Sequence, residues 1–264
     1  MNHNQTIVSA SHPSLYKRIS NLFKKQTGPQ RIYLVRHGES EGNVDKTTYL
    51  RKPDHAINLT PRGQEQAFKA GQFLREEFNK AGLIGTDIRL WLSPYTRTRQ
   101  TADHLQLGAG NNVFRDRFED ISLREQQFGL FDGYDTEELA IHFPNEHAYY
   151  KKHEDFSGRF YATVPLGESR CQVAERVKPF FDTLIRDAEK RNIQTNVIVT
   201  HGVTLRAFIM QWLHYTPEWF EDEPNPGNTS IYLLERDQNN EMQLYRDINK
   251  VNRTNARTPA APAP

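Results

Sequence analysis

A single cysteine, Cys171, serves the whole 264-residue chain. That excludes an intrachain disulfide and a cysteine-based zinc site, and it suits a reducing compartment. The cytoplasm is therefore the expected location. No stretch approaches the ~20 apolar residues of a membrane span, so none is expected. Acidic residues are missing before Glu39, whereas Lys17, Arg18, Lys24 and Lys25 are all basic. The segment "SLYKRISNLFKK" could form a short amphipathic helix, which leaves organelle targeting open beside the plainer reading of a solvated extension. A signal-peptide core of ~7–15 apolar residues is absent. There is no internal repeat of solenoid length. Charge of either sign is not in excess: the formal net charge of +1 gives no support for a nucleic-acid partner. Composition does not set the oligomeric state, and a homo-oligomer stays open.

What is present is an ordinary mixture, with 36% hydrophobic and 25% charged residues. After a basic extension (1–30), a main domain is expected over 31–250, followed by a disordered tail (251–264) ending in "RTPAAPAP". Within the domain, strands and helices alternate, which favours an α/β fold with a parallel sheet covered on both faces. "RIYLV" (31–35), "DIRLWL" (87–92) and "TNVIV" (195–199) read as buried strands. Thr60 and Pro61 read as the N-cap and first residue of a helix whose apolar face carries Ala67, Ala70, Phe73, Leu74 and Phe78. Ser93-Pro94 predicts the same start for "YTRTRQTADHL". "CQVAERVKPFFDTLIRDAEK" has helical spacing, but Pro179 predicts a kink or an early end. A further helix is expected from Val203 to Leu213, and "SIYLLE" with "MQLYRD" as a final strand pair. Residues 133–165, dense in aromatic, histidine and charged residues, predict a helical or irregular cap inserted beside the sheet.

Two of the strands stop in the same way, at "VRHGE" and "VTHGV". In open α/β sheets ligands collect at the carboxyl ends of strands, so one pocket can receive both His37 and His201. Each is followed by a glycine, Gly38 or Gly202, which would let a ligand approach the backbone. Gly202 also opens a helix, whose amide dipoles favour an anion. Arg36 adjoins His37, and Arg97 lies one turn into the helix after "DIRLWL". Two arginines, two histidines and a helix N-terminus suit a phosphate group held by guanidinium forks. A lone histidine or arginine in such a place is more often structural or simply solvated. The combination with "SPYTRTRQTA" in one chain is what points to chemistry.

These segments, together with "LVRHGESEGN", "LTPRGQEQA", "LREQQFG" and "GESRCQVAERV", resemble the histidine phosphatase superfamily, in the branch that contains cofactor-dependent phosphoglycerate mutase. The resemblance runs from about Arg31 to Asn249. It implies a three-layer αβα sandwich with a mostly parallel central sheet, and no metal or other cofactor. By resemblance His37 is the nucleophile that forms a phosphohistidine, which splits a very slow hydrolysis into two steps. Arg36, Arg97 and His201 would hold the equatorial oxygens. Asn43 would add a neutral donor, and Ser40 belongs to the same motif. Glu39 also belongs to it but could equally brace the loop. Glu125 in "LREQQFG" matches the family's general acid, which protonates the leaving oxygen and later takes a proton from water. Spacing alone leaves Glu119, Asp120 and Asp132 open for that role.

A mutase needs extra cations for its substrate's carboxylate. Where the mutases have arginine after the acid, this chain has Gln126, and residues 133–165 hold Lys151-Lys152 and isolated Arg159 rather than an arginine pair. The expectation is therefore hydrolysis of a small-molecule phosphate ester, as in the phosphoglycerate-mutase-like phosphatases, with which "LREQ" and the "PDH" segment (Pro53, Asp54, His55) are shared. In the cap, His142, Tyr149, Tyr150, Phe156, Arg159, Phe160 and Tyr161 are candidates to line the site, or simply to pack the insertion. Two rivals remain. A metal-dependent hydrolase on His37 and His201 suffers from an arginine beside a proposed ligand. A phospholigand sensor without turnover finds no missing catalytic position to support it.

Overall fold

Arg31–Arg36 (β1), Ile88–Leu92 (β2) and Thr195–Thr200 (β4) are near-continuous apolar runs, because parallel strands covered on both faces bury every side chain. The structure, a computed structural model, describes residues 28–84, 87–110 and 112–250. Its six-stranded sheet also contains Asp116–Glu119 (β3), Ile231–Arg236 (β5) and Met242–Tyr245 (β6), in the order β3-β2-β4-β1-β5-β6. The first four strands are parallel to one another, while β5 runs antiparallel to β1 and β6 antiparallel to β5. The expected final strand pair is thus found. β3 was not anticipated: "DRFE" is short, polar and mostly exposed at the sheet edge, so it lacks any apolar pattern.

Alternate residues divide the core into two layers. Tyr33, Val35, Leu90, Leu92, Val197 and Val199 face the helices Pro61–Lys80 (α2) and Thr96–Ala109 (α3). Ile32, Leu34, Trp91 and Ile198 face the helices Arg170–Arg191 (α6) and Gly202–Leu213 (α7). This is the expected three-layer αβα arrangement. Two closely packed glycines join α2 to α3. A Cβ on Gly71 would lie 2.1 Å from the Leu105 carbonyl oxygen, and one on Gly108 would lie 2.0 Å from that of Phe68.

Local signals mostly decide the helix ends. The Thr60 hydroxyl accepts from Gly63 N and Pro61 is the first helical residue, as expected. Ser169 caps α6 through a reciprocal pair with Gln172. One expectation fails and another fails in part. Ser93 does not cap α3, which starts at Thr96 after Tyr95; the Ser93 hydroxyl instead lies 2.8 Å from the His201 ring. Pro179 does not end α6, which runs 22 residues through it. Val173, Val177, Phe180 and Leu184 are buried on both sides of the proline, and their burial outweighs the one backbone bond it removes.

The insertion is helical as expected, with Thr136–His142 (α4) and Pro144–Ser157 (α5) and no strand. Two short helices, Glu41–Val44 (α1) and Pro217–Asp222 (α8), complete the set. Gln30 already bonds to the sheet: its carbonyl accepts from Arg236 N–H of β5 at 3.0 Å. Residues 1–27 of the basic extension and the 251–264 tail lie outside the described residues.

Candidate active site

Three neighbouring parallel strands end side by side. β1 delivers His37, β4 delivers His201, and β2 delivers Ser93. His37 is held through its backbone by the strands on either side: its N–H donates to Thr200 (2.9 Å) and its carbonyl accepts from Thr229 N–H (3.2 Å). Its Nδ1 lies 2.7 Å from the Gly38 carbonyl oxygen. A carbonyl can only accept, so Nδ1 carries the proton and Nε2 keeps its lone pair. Burial pushes the His37 pKa well below the ordinary histidine value, and the charges of Arg97 and Arg36 push it further. His201 is fully buried with its ring centre 5.2 Å from that of His37, and its pKa is lowered by burial, then by Arg97. Both imidazoles are therefore neutral near neutral pH.

Arg36 and Arg97 approach from different elements. Arg36 donates to the Pro226 carbonyl at 2.6 Å. Arg97, only 2% exposed, donates through Nη1 to both the carbonyl and the carboxylate of Asp54, each at 2.7 Å, and its guanidinium lies 5.0 Å from the Tyr95 ring centre. Arg36 Nε, Arg97 Nε and His201 Nδ1 are buried with no partner among the described residues. Buried polar groups are normally satisfied, and orphans from β1, α3 and the end of β4 in one place fit a polar ligand.

Glu125 sits over the start of α7. Its carboxylate accepts from Thr204 N–H (3.3 Å) and Val203 N–H (3.5 Å). The helix N-terminus expected to receive a ligand anion thus spends two of its amides on the chain's own carboxylate. Arg176 fixes the loop that carries Glu125, donating to the carbonyls of Ser122 (2.6 Å) and Glu125 (2.9 Å) while Glu168 neutralises it at 2.9 Å. Two alternatives for the acid are otherwise engaged. Glu119 is forked by Arg99, and Asp120 caps a short turn through Ser122. Asp132 differs: half-burial and then the Asp54 charge push its pKa up to about 7.

The two glycines have another reason to be glycine than the one expected. A Cβ on Gly38 would lie 2.4 Å from the Gly63 carbonyl oxygen in α2, and one on Gly202 would lie 2.1 Å from Asn225 Oδ1. At Gly38 the backbone of α2 excludes a side chain, whereas at Gly202 only the movable Asn225 side chain stands in the way. Asn43 Oδ1 is engaged by Ser40 N–H (3.1 Å) and Asn228 Nδ2 (3.0 Å), so only its amide nitrogen remains to donate. Ser40 is fully buried and its hydroxyl has no partner among the described residues. Glu39 accepts from the Thr60 hydroxyl (2.8 Å) and meets Arg62 (3.3 Å), which is the bracing role.

Sequence reading missed several neighbours. Asn228 ties the His37 carbonyl to Asn43. Thr101 accepts from Gly38 N–H at 3.0 Å, and Ser93 meets His201. Ser93 and Thr101 lie within the quoted "SPYTRTRQTA" and Asp54 within "PDH", but nothing beyond those motifs marked them, and Asn228 had no signal at all. Of the cap candidates, Tyr150 and Arg159 line a cavity against the domain. Phe160 packs on Phe220, its ring centre 5.4 Å away, whereas Phe156 is 91% exposed. Tyr149 and Tyr161 are also exposed, and His142 lies against Tyr134.

Residues 32–248 match the family model of the histidine phosphatase superfamily, branch 1. The phosphoglycerate mutase-like protein AT74 of Arabidopsis thaliana is 36% identical over 82% of this chain and 68% of its own length. The broad-range acid phosphatase DET1 of Saccharomyces cerevisiae is 26% identical, covering 83% of this chain and 89% of that one. A 2,3-bisphosphoglycerate-dependent phosphoglycerate mutase of Brucella melitensis is 30% identical, over 78% and 93%. Among solved structures, mycobacterial glucosyl-3-phosphoglycerate phosphatase has the same fold, with a TM-score of 0.59 at 22% identity over 83% of this chain and 97% of that one. With the family model matching most of its length and two buried histidines meeting at the strand ends, the chain belongs to branch 1 of the histidine phosphatase superfamily.

Proposed function

We propose that the protein hydrolyses phosphate monoesters of small molecules through a phosphohistidine on His37. The observation that carries this reading is the set of buried polar atoms without a partner among the described residues, Arg36 Nε, Arg97 Nε and His201 Nδ1, beside a neutral His37 whose Nε2 holds a lone pair. In the first step Nε2 attacks phosphorus as the bond to the ester oxygen breaks, and Glu125 gives its proton to the leaving alkoxide. Arg36, Arg97 and His201 hold the equatorial oxygens, whose charge grows in the transition state. In the second step water attacks phosphorus, the phosphorus–nitrogen bond breaks and returns its electron pair to Nε2, and the water's proton passes to Glu125 as inorganic phosphate leaves.

Hydrolysis ranks above mutase activity because of Gln126. Its amide donates to the Glu168 carbonyl at 2.7 Å and brings no charge to meet a substrate carboxylate. Both classes occur among the relatives, so the two activities belong in one assay. With a panel of phosphate monoesters, wild type is expected to release inorganic phosphate, and His37→Ala to lose more than ~10³-fold in kcat/KM. An acid-stable phosphoenzyme, or a phosphoglycerate isomerised faster than it is hydrolysed, would reverse the assignment.

A further inference from the structure

Gln126 raises a question that the phosphoryl site does not answer. The side chain is 4% exposed, its Nε2 is used by Glu168, and its Oε1 is buried without a partner among the described residues. It lines a cavity of about 360 Å³ between the cap and the domain. That volume falls in the range of small-molecule sites. One residue of its wall touches the phosphoryl site: Gln126 follows Glu125, whose carboxylate accepts from the Gln126 N–H at 3.0 Å, although Arg36, His37, Arg97 and His201 do not themselves line the cavity.

The rest of the lining sets the chemistry. Phe131 and Tyr150 meet edge to face, with ring centres 5.3 Å apart at 82°, an arrangement that turns one ring face away from its neighbour. Each cation of the wall already has a carboxylate partner, though the three share two: Lys151 and Arg159 meet Glu154, and Arg170 pairs with Glu221. A carboxylate body would have to compete with Glu154 or Glu221 for a cation, while a flat body can lie against a ring. A hydrogen-bond donor on that body would satisfy Gln126 Oε1, whose burial unpaired is costly.

We infer that this cavity binds the organic half of the substrate, and that Gln126 with Phe131 and Tyr150 selects phosphate esters whose body is flat, unsaturated and carries a hydrogen-bond donor. The inference rests on the phosphatase reading and names the substrate class of that site. Gln126 Oε1 is the specificity group, and the phosphoryl end reaches His37 past Glu125.

The test compares kcat/KM for adenosine 5′-monophosphate with that for glycerol 3-phosphate and 3-phosphoglycerate, using the full chain. Wild type is expected to prefer the flat ester at least tenfold. Gln126→Leu should reduce that preference about tenfold, the equivalent of one lost hydrogen bond. Tyr150→Ala, on a helix that buries no residue, should reduce it without threatening the fold. A loss transmitted through Glu125 would slow all three esters alike, so an unchanged preference in both variants overturns the inference and leaves a water-filled cap. Equal wild-type rates on flat and compact esters overturn it as well. If wild type releases phosphate from none of them, nor from an activated aryl phosphate, the phosphatase reading fails instead. Calorimetric binding of adenosine 5′-monophosphate then decides: binding weakened about tenfold by Gln126→Leu supports the cavity, and no binding overturns it.

Discussion

At position 37, burial and two guanidinium charges act in the same direction. Each disfavours the imidazolium, so the ring stays neutral well into the acid range. Glu125 has the complementary position, held by Arg176 and the first amides of α7. If it protonates the leaving oxygen, Glu125→Gln should slow alkyl phosphates by ~10²–10⁴ and spare an activated aryl phosphate, which leaves without help. Equal losses on both substrates would remove it from that role. Asp132 yields a stability prediction. Its native pKa of about 7 exceeds the ordinary 3.8, so the folded state holds a proton that the unfolded chain releases. The stabilisation is complete below pH ~4 and is lost as pH rises through ~7. The histidines act with the opposite sign: their lowered pKa values cost stability as pH falls below ~6.5, where the unfolded chain takes up protons. Urea midpoints between pH 4 and 8 should show Asp132→Asn abolishing the first slope and leaving the second.

At the scale of elements, α2 is pressed against two partners through glycine. Gly63 lets its first turn meet the loop after β1, where an added Cβ would lie 2.0 Å from the Glu39 carbonyl oxygen, and Gly71 lets it meet α3. The loop that carries Gly38 is thus clamped between β1 and α2, which fixes His37 through its own neighbour. Gly71→Ala should lower stability by about 1–3 kcal/mol through backbone overpacking, despite alanine's better helix propensity. A chemical-denaturation curve with an unchanged midpoint would remove the close contact from the account.

The whole molecule converges positive charge on one end of the sheet, although its formal net charge is only +1. Inorganic phosphate should therefore bind the folded state alone and raise the melting temperature. The expected gain is ~2.7 kcal/mol at a hundredfold excess over Kd. A chloride salt at equal ionic strength should not reproduce it, and a response identical to chloride would count against an anion site. No helix among the described residues is long and apolar enough to cross a membrane.

The layers of the fold and the two histidines were legible in the sequence, because a strand buried on both faces is a contiguous apolar run and whatever ends it stands at the ligand edge. Local capping chemistry likewise announced α2. The sequence could not disclose what is assembled across long separations. The polar edge strand β3, the meeting of Ser93 with His201, the Asn228 bridge between His37 and Asn43, and the raised pKa of Asp132 all arise between residues far apart along the chain. Patterns of apolar and polar residues fix which side chains are buried. Which of those buried side chains come to face one another depends on how the crossover helices bring strand ends together, and only the tertiary structure carries that information.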